Sequence, residues 1–321
     1  MPLEGWPKRY LERKAALGEK TVELKSKRKI AYWIDGEGGV PVLAIHGTMS
    51  DKTMWILPES LPQIKLIAID RFGHGGSSEE PPDYYFDEAI PEIIEFMDTL
   101  MIDKFYVTGH SMGGGWALQL AAALGDRVLG VATISGIADP YHASVSEKQR
   151  KQYEVYGFAK GGQLSTACCG CCGAFQKNLS ALGCGSWPKD KDPGFASYYG
   201  MSRKITGGSK ECWAKVDSSP HVVMNILDTR RGNYAKLQDF LETKRQFTKW
   251  HYDVSTIKCL VTINHGKKDP IVKVVAAEMT AGAVPNSKLN LWDDHGHISV
   301  FIEIPNVLLK LIEEPKKDGG S

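Results

Sequence analysis

The sequence predicts an α/β fold: a mostly parallel, doubly wound sheet interrupted by a long helical insertion. Three observations carry this. Short runs rich in β-branched residues, at 42–45, 64–69, 104–108, 128–134 and 259–263, are apolar without alternation, as strands covered on both faces are. Segments with helical apolar spacing, 84–101, 112–124, 271–281 and 299–312, fall between them; strand alternating with helix implies right-handed βαβ units. The alternation stops near Asp139 and resumes near Cys259, and a connection that long is implausible as one structureless loop.

The elements follow in order. Residues 1–20 read as an N-terminal extension. Residues 21–34 alternate polar and apolar around a basic tip, the pattern of an antiparallel hairpin at a sheet edge. The core then occupies 21–139 and 251–314. Pro91 falls inside the 84–101 helix and is expected near its first turn or at a kink. Residues 140–250 read as a helical cap over the carboxyl edge of the sheet, with helical patches at 146–159, 209–229 and 234–249. The 288–292 strand is more mixed, and 315–321 read as a disordered tail.

Composition narrows the function classes. The 321 residues carry a net charge of +1, with 42% hydrophobic and 24% charged residues. Those are ordinary globular values. They give no electrostatic reason to expect a nucleic acid or an acidic membrane surface. No run approaches the roughly 18 apolar residues of a membrane span. The first residues lack an apolar signal core, so the expected compartment is the cytoplasm, with thiols reduced.

The chemistry-bearing motif lies at 104–124, KFYVTGHSMGGGWALQLAAAL. A strand runs through Gly109-His110-Ser111-Met112-Gly113 into a helix, the strand–turn–helix setting of a nucleophile on a strained elbow. Side chains at 109 and 113 would collide with neighbouring backbone, hence the glycines. The turn lifts the Ser111 hydroxyl clear of the sheet and sets the Met112 N–H at a helix N-terminus, where it can hold developing negative charge. A serine hydroxyl needs a base. His297, after the last strand, is the first candidate and His295 the second. The base needs a carboxylate: Asp269, after the 259–263 strand, with Asp139, after the preceding strand, as its rival. A second oxyanion donor is expected from the loop after the first parallel strand, where Gly47 lets backbone approach and the Thr48 N–H points inward. His46 reads as a structural histidine bracing that loop.

These stretches, HGT at 46–48, IAIDRFGHGGSS at 67–78, VTGHSMGG at 107–114, INHGKKDPIV at 263–272 and DHGHISVF at 294–301, resemble the α/β-hydrolase superfamily, in its capped serine esterase, lipase and haloperoxidase-like branch. The resemblance implies Ser111, Asp269 and His297 as a catalytic triad, with the Thr48 and Met112 N–H groups as oxyanion hole. It implies scaffold roles for Asp70, Arg71 and His74. Serine at the elbow separates the chain from the haloalkane dehalogenases and epoxide hydrolases of this fold, which resemble each other in using Asp there. The implied activity is hydrolysis of a carboxylic ester or thioester of a small to medium apolar molecule, with no cofactor and no metal. A carbon–carbon hydrolase, a lyase or a perhydrolase on the same triad are the alternatives. A non-catalytic ligand receptor on the fold and a lipid-surface enzyme with an opening cap are two more. A homodimer is left open.

The insertion holds Cys168, Cys169, Cys171, Cys172, Cys184 and Cys212. The paired spacing of the first four lacks the second tight pair or histidine pair that a tetrahedral zinc site needs, so these cysteines read as small hydrophobes. The insertion is also aromatic, including Tyr153, Tyr156, Trp187 and Trp213, which suits packing on the core or an apolar substrate.

Overall fold

A computed structural model describes residues 6–48, 50–81, 84–156, 203, 206–231 and 249–313. The chain opens with α1 (Trp6–Leu17), β1 (Lys20–Glu23), β2 (Lys29–Asp35) and β3 (Val40–Ile45), followed by a 3-10 turn at Lys52–Trp55, β4 (Ile64–Ile69) and α2 (Phe86–Thr99). Next come β5 (Phe105–His110), α3 (Met112–Leu124) and β6 (Val128–Ile134). The insertion contributes α4 (Glu147–Tyr156), α5 (Lys210–Asp217) and α6 (Pro220–Arg231). The core resumes with β7 (Leu260–Gly266), α7 (Val274–Ala283), β8 (Ser287–Trp292), a 3-10 turn at Ser299–Glu303 and α8 (Ile304–Glu313).

The strands form one sheet in the order β1-β2-β4-β3-β5-β6-β7-β8. β1 and β2 form the antiparallel hairpin, β2 joins β4 antiparallel, and every other pair is parallel. The continuous apolar runs are the strands buried on both faces: Leu43, Ile45, Ile67, Val107 and Val131 are all wholly buried. The mixed run is β8, an edge strand with mostly half-exposed side chains. The chain steps from β3 outward to β4 and then back to β5 on the other side. That reversal opens a crevice beyond the carboxyl ends of β3 and β5, where doubly wound sheets bind ligands.

Two expectations, at 209–229 and 299–312, are corrected, and two more gain detail. The N-terminal extension carries α1, whose Tyr10 and Leu17 bury against the fold while most of its other described side chains stay in solvent; so narrow an apolar stripe gives a weak periodic signal. Pro91 is the sixth residue of α2, just past its first turn. The 209–229 helix is two helices: Ser218 ends α5, its N–H on the Ala214 carbonyl and its hydroxyl on that of Lys215, and Pro220 opens α6, the helical position proline suits best. The 299–312 helix begins as a 3-10 turn, with Pro305 in the first turn of α8. Residues 234–248 of the 234–249 patch and 315–321 lie outside the described residues, as do Cys168, Cys169, Cys171, Cys172, Cys184 and Trp187; the Tyr156 side chain is likewise not described. Among the described residues no helix is long and apolar enough to cross a membrane.

Candidate active site

β3 and β5 are parallel neighbours with Ile45 opposite Gly109. The two residues that follow each put Gly47 beside Ser111: a Cβ on Gly47 would lie 2.9 Å from the Ser111 Cβ. Register alone therefore brings the candidate oxyanion loop to the candidate nucleophile. Ser111 sits between β5 and α3 with φ 55° and ψ −121°, a conformation that costs of order 1–3 kcal/mol for a residue with a side chain. Its surroundings impose it. The Ser111 N–H donates to the Ile134 carbonyl at 3.0 Å, and its own carbonyl accepts from Gly114 and Ile137. The glycines are steric necessities: a Cβ at 109 would lie 1.9 Å from the Gly113 oxygen, and one at 113 would lie 2.2 Å from the Ile45 oxygen.

The Ser111 hydroxyl lies 3.1 Å from Nε2 of His297, and Nδ1 of His297 lies 2.7 Å from Oδ2 of Asp269. With Nδ1 protonated and donating to the carboxylate, Nε2 is left to accept the serine proton. The other Asp269 oxygen accepts from the Ile271 and Val272 N–H groups at 2.8 and 2.9 Å, so this buried carboxylate has its donors in place. His265, beside it, donates from Nε2 to the Val272 carbonyl at 2.7 Å, and burial holds its pKa down, so it is a neutral neighbour. The main chain of His297 is pinned at both ends. Its N–H donates to the Thr206 carbonyl at 2.7 Å, and its carbonyl accepts from Nε2 of His110 at 2.9 Å. His110, the residue before the nucleophile, was not singled out by the sequence motif.

The rivals sit elsewhere. Asp139 accepts from the Tyr141 N–H at 2.8 Å, and burial pushes its carboxyl up. His295 does not pair with Asp293 or Asp294, the partners its loop position suggests. Those carboxylates take Lys267 and Lys268, while His295 lies 3.4 Å from Glu303. Cys212 faces His295 and Ser299, so it is no mere small hydrophobe.

Met112 is the first residue of α3, so the helix itself offers its N–H no acceptor. Behind Thr48 the loop is braced as the sequence suggests for His46. The Arg71 N–H donates to Nε2 of His46 at 3.0 Å, which leaves Nδ1 to donate to the Gly47 carbonyl at 2.7 Å. Burial, then the Arg71 charge, hold His46 neutral. The Arg71 guanidinium donates to the His46 and Gly47 carbonyls at 3.1 and 3.0 Å. The carbonyl and the following N–H of a trans peptide point in opposite directions. Two donors on the Gly47 carbonyl therefore fix the direction of the Thr48 N–H. Asp70 secures the same loop from below, accepting from the Lys52 N–H at 2.8 Å and the Lys52 ammonium at 2.5 Å.

Comparison with known proteins agrees with this architecture. A family model described as the alpha/beta hydrolase fold matches residues 40–163. The chain is 32% identical over 111 residues to the dihydrolipoyllysine-residue acetyltransferase component of the acetoin cleaving system of Pseudomonas putida, a match covering 33% of this chain and 30% of that protein. The chain thus spans about a third of that relative's length. It is 25% identical over 281 residues to a monoacylglycerol lipase of Homo sapiens, covering 84% of this chain and 73% of the lipase. The enol-lactonase structure from Burkholderia xenovorans superposes with a TM-score of 0.59 at 18% identity, over 91% of this chain and 98% of that one, a likeness of fold. With its sheet order and its elbow, the chain has the α/β-hydrolase fold that the family model matches over residues 40–163.

Proposed function

We propose that the protein is a serine hydrolase that cleaves a carboxylic ester or thioester of a small to medium apolar molecule through an acyl-enzyme. One observation carries the reading: the unbroken chain of contacts from Ser111 through His297 to Asp269 at a strained elbow. Ser111 Oγ attacks the substrate carbonyl as His297 Nε2 takes its proton. Asp269 holds the ring in the required tautomer and stabilises the imidazolium. The carbonyl oxygen, now negative, sits between the Thr48 and Met112 N–H groups. His297 returns the proton to the leaving alcohol or thiol, then activates the water that releases the acid. The name of the human relative, a lipase, supports the ester as the reacting bond.

Residues 21–139 and 251–314 act as the core in this reading, and 140–250 as a cap over the carboxyl edge. Support comes from α6, which docks on the loop after β3. His221 donates to the Ile56 carbonyl at 2.7 Å, and Asn225 donates to the Met54 and Ile56 carbonyls at 2.8 and 3.1 Å.

The test is a fluorophosphonate probe with peptide mapping, beside turnover of p-nitrophenyl esters of increasing chain length. A single adduct on Ser111, with turnover lost in Ser111→Ala, is the expected result. Retained hydrolysis in folded Ser111→Ala overturns the assignment.

A further inference from the structure

A second cluster of nucleophile, imidazole and carboxylate lies outside the triad. Cys212 sits in the first turn of α5, its N–H capped by the Ser209 hydroxyl at 3.0 Å, where helix N–H dipoles favour an anion. Its thiol faces the His295 ring and the Ser299 hydroxyl. Nε2 of His295 lies 3.4 Å from Oε1 of Glu303, and both buried ring nitrogens lack a hydrogen-bond partner. Cys212 and His295 are buried, while a quarter of the Glu303 side chain meets solvent. Burial disfavours the imidazolium, but Cys212 and Glu303 outweigh it and hold His295 up at about 9. Burial alone would push the thiol up; His295 and Ser299 reverse the sign.

We propose that Cys212, His295 and Glu303 form a second reactive site, a peroxide-oxidisable thiol that controls the turn carrying His297. The thiol proton resides on His295. The Cys212 sulfur attacks one oxygen of a hydroperoxide; an S–O bond forms and the O–O bond breaks. The departing oxygen takes the His295 proton and leaves as water or an alcohol. Sulfur is oxidised by two electrons to the sulfenic acid and the peroxide is reduced.

Cys212 is buried beside His295 and Ser299, so an added oxygen presses on that turn. The Ser299 hydroxyl that faces the thiol also accepts from the Gly296 N–H at 2.8 Å. The His295 carbonyl accepts from the Lys268 N–H at 2.9 Å, next to Asp269. Oxidation therefore loosens the turn that aims His297. The effect on turnover rests on the proposed triad; the oxidation of the thiol does not.

Cys259 is the internal reference. It is the more exposed thiol, and burial without a charged partner pushes it up to about 11. The experiment treats the full chain with hydrogen peroxide and dimedone near neutral pH and maps the adducts. Cys212 is expected to label faster than Cys259 by at least roughly tenfold, because its gain in thiolate fraction outweighs its lesser exposure to a small peroxide. His295→Asn is expected to erase that preference. Equal labelling, or Cys259 first, overturns the site. Peroxide is expected to abolish ester turnover reversibly with dithiothreitol in the parent. Cys212→Ala, or Cys212→Ser should the first misfold, keeps the basal rate and resists peroxide. A variant that is inactivated as fast as the parent overturns the control of His297. A parent with no ester turnover at all refutes the triad reading instead, while the dimedone map still decides the thiol.

Discussion

Arg71→Met tests how the proposed oxyanion loop is aimed. Arg71 is buried behind that loop, and its guanidinium lies 5.6 Å from the centroid of the Trp116 ring. Methionine preserves much of the apolar stem and leaves the backbone N–H bond to His46 intact. What disappears is the pair of guanidinium bonds to the His46 and Gly47 carbonyls. Hydrogen bonds to a charged group contribute about 1.5–3 kcal/mol each, and release from burying a cation offsets part of that. The expected loss of stability is about 2–4 kcal/mol. The catalytic loss is separate. Deleting one oxyanion donor costs about 10²–10³ in kcat. A Thr48 N–H that is present but no longer held should cost less, about 10–10². KM should change little, because the ground-state carbonyl uses the hole weakly. The assay is kcat and KM on p-nitrophenyl butyrate beside a urea titration. Arg71→Lys should fall between, since an ammonium cannot fork to both carbonyls. A folded Arg71→Met with kcat within about threefold of the parent would refute the clamp, because the peptide direction would then be set without Arg71.

Asp269→Asn should lower kcat by about 10³–10⁴, since the amide forces the wrong His297 tautomer, whereas Asp139→Asn should leave kcat unchanged; steady-state turnover of both variants separates the two carboxylates. Gly113→Ala should unfold the chain or lower its unfolding free energy, read from a urea titration, by more than about 2 kcal/mol, because its Cβ meets the Ile45 oxygen at 2.2 Å and the His46 oxygen at 2.6 Å, backbone atoms that cannot step aside. Burial lowers the pKa of His221. A histidine depressed in the fold stabilises above its unfolded pKa near 6.5, and that stability is lost as pH falls. His221→Gln should therefore flatten the fall of unfolding free energy below about pH 6.5, by up to about 1.4 kcal/mol per pH unit. An unchanged slope would show that the ring is protonated in the fold.

Local sterics write themselves into sequence, and pairings between distant segments do not. The elbow was legible because Gly109, Ser111 and Gly113 answer to one another within a single turn. β4 and β6 were legible to the residue because burial on both faces demands unbroken apolar runs. His46 could be read as a brace because Gly47 is its neighbour, and Arg71 only as scaffold, because its target carbonyls lie on another strand end. Asp139 and Asp269 could not be separated by spacing, since each follows a strand and precedes a proline. α1 and the Cys212–His295 cluster were missed for the same reason. The side chains that give them meaning, His221 against Tyr10 and Glu303 against His295, come from remote parts of the chain.

Sheet order explains why the proposed base needs so much support. His297 follows β8, and β6 and β7 separate β8 from the strand that carries Ser111. At about 4.8 Å per strand, those axes are roughly 14 Å apart, yet Nε2 closes to 3.1 Å from the hydroxyl. The turn at 294–297 must therefore reach back across the ends of two strands, where no ladder holds it. Its anchors include the Lys268 N–H on the His295 carbonyl, the His110 ring on the His297 carbonyl, and the Thr206 carbonyl on the His297 N–H. Gly296 is bare because a Cβ there would lie 2.2 Å from the Thr206 oxygen. Two of these anchors belong to the sheet's own loops and strands, but Thr206 belongs to the insertion. The segment proposed to cover the substrate thus also holds the main chain of the proposed base. Displacing Thr206 removes one of the proposed base's anchors, so placement of the insertion and readiness of the proposed triad are coupled through this hydrogen bond.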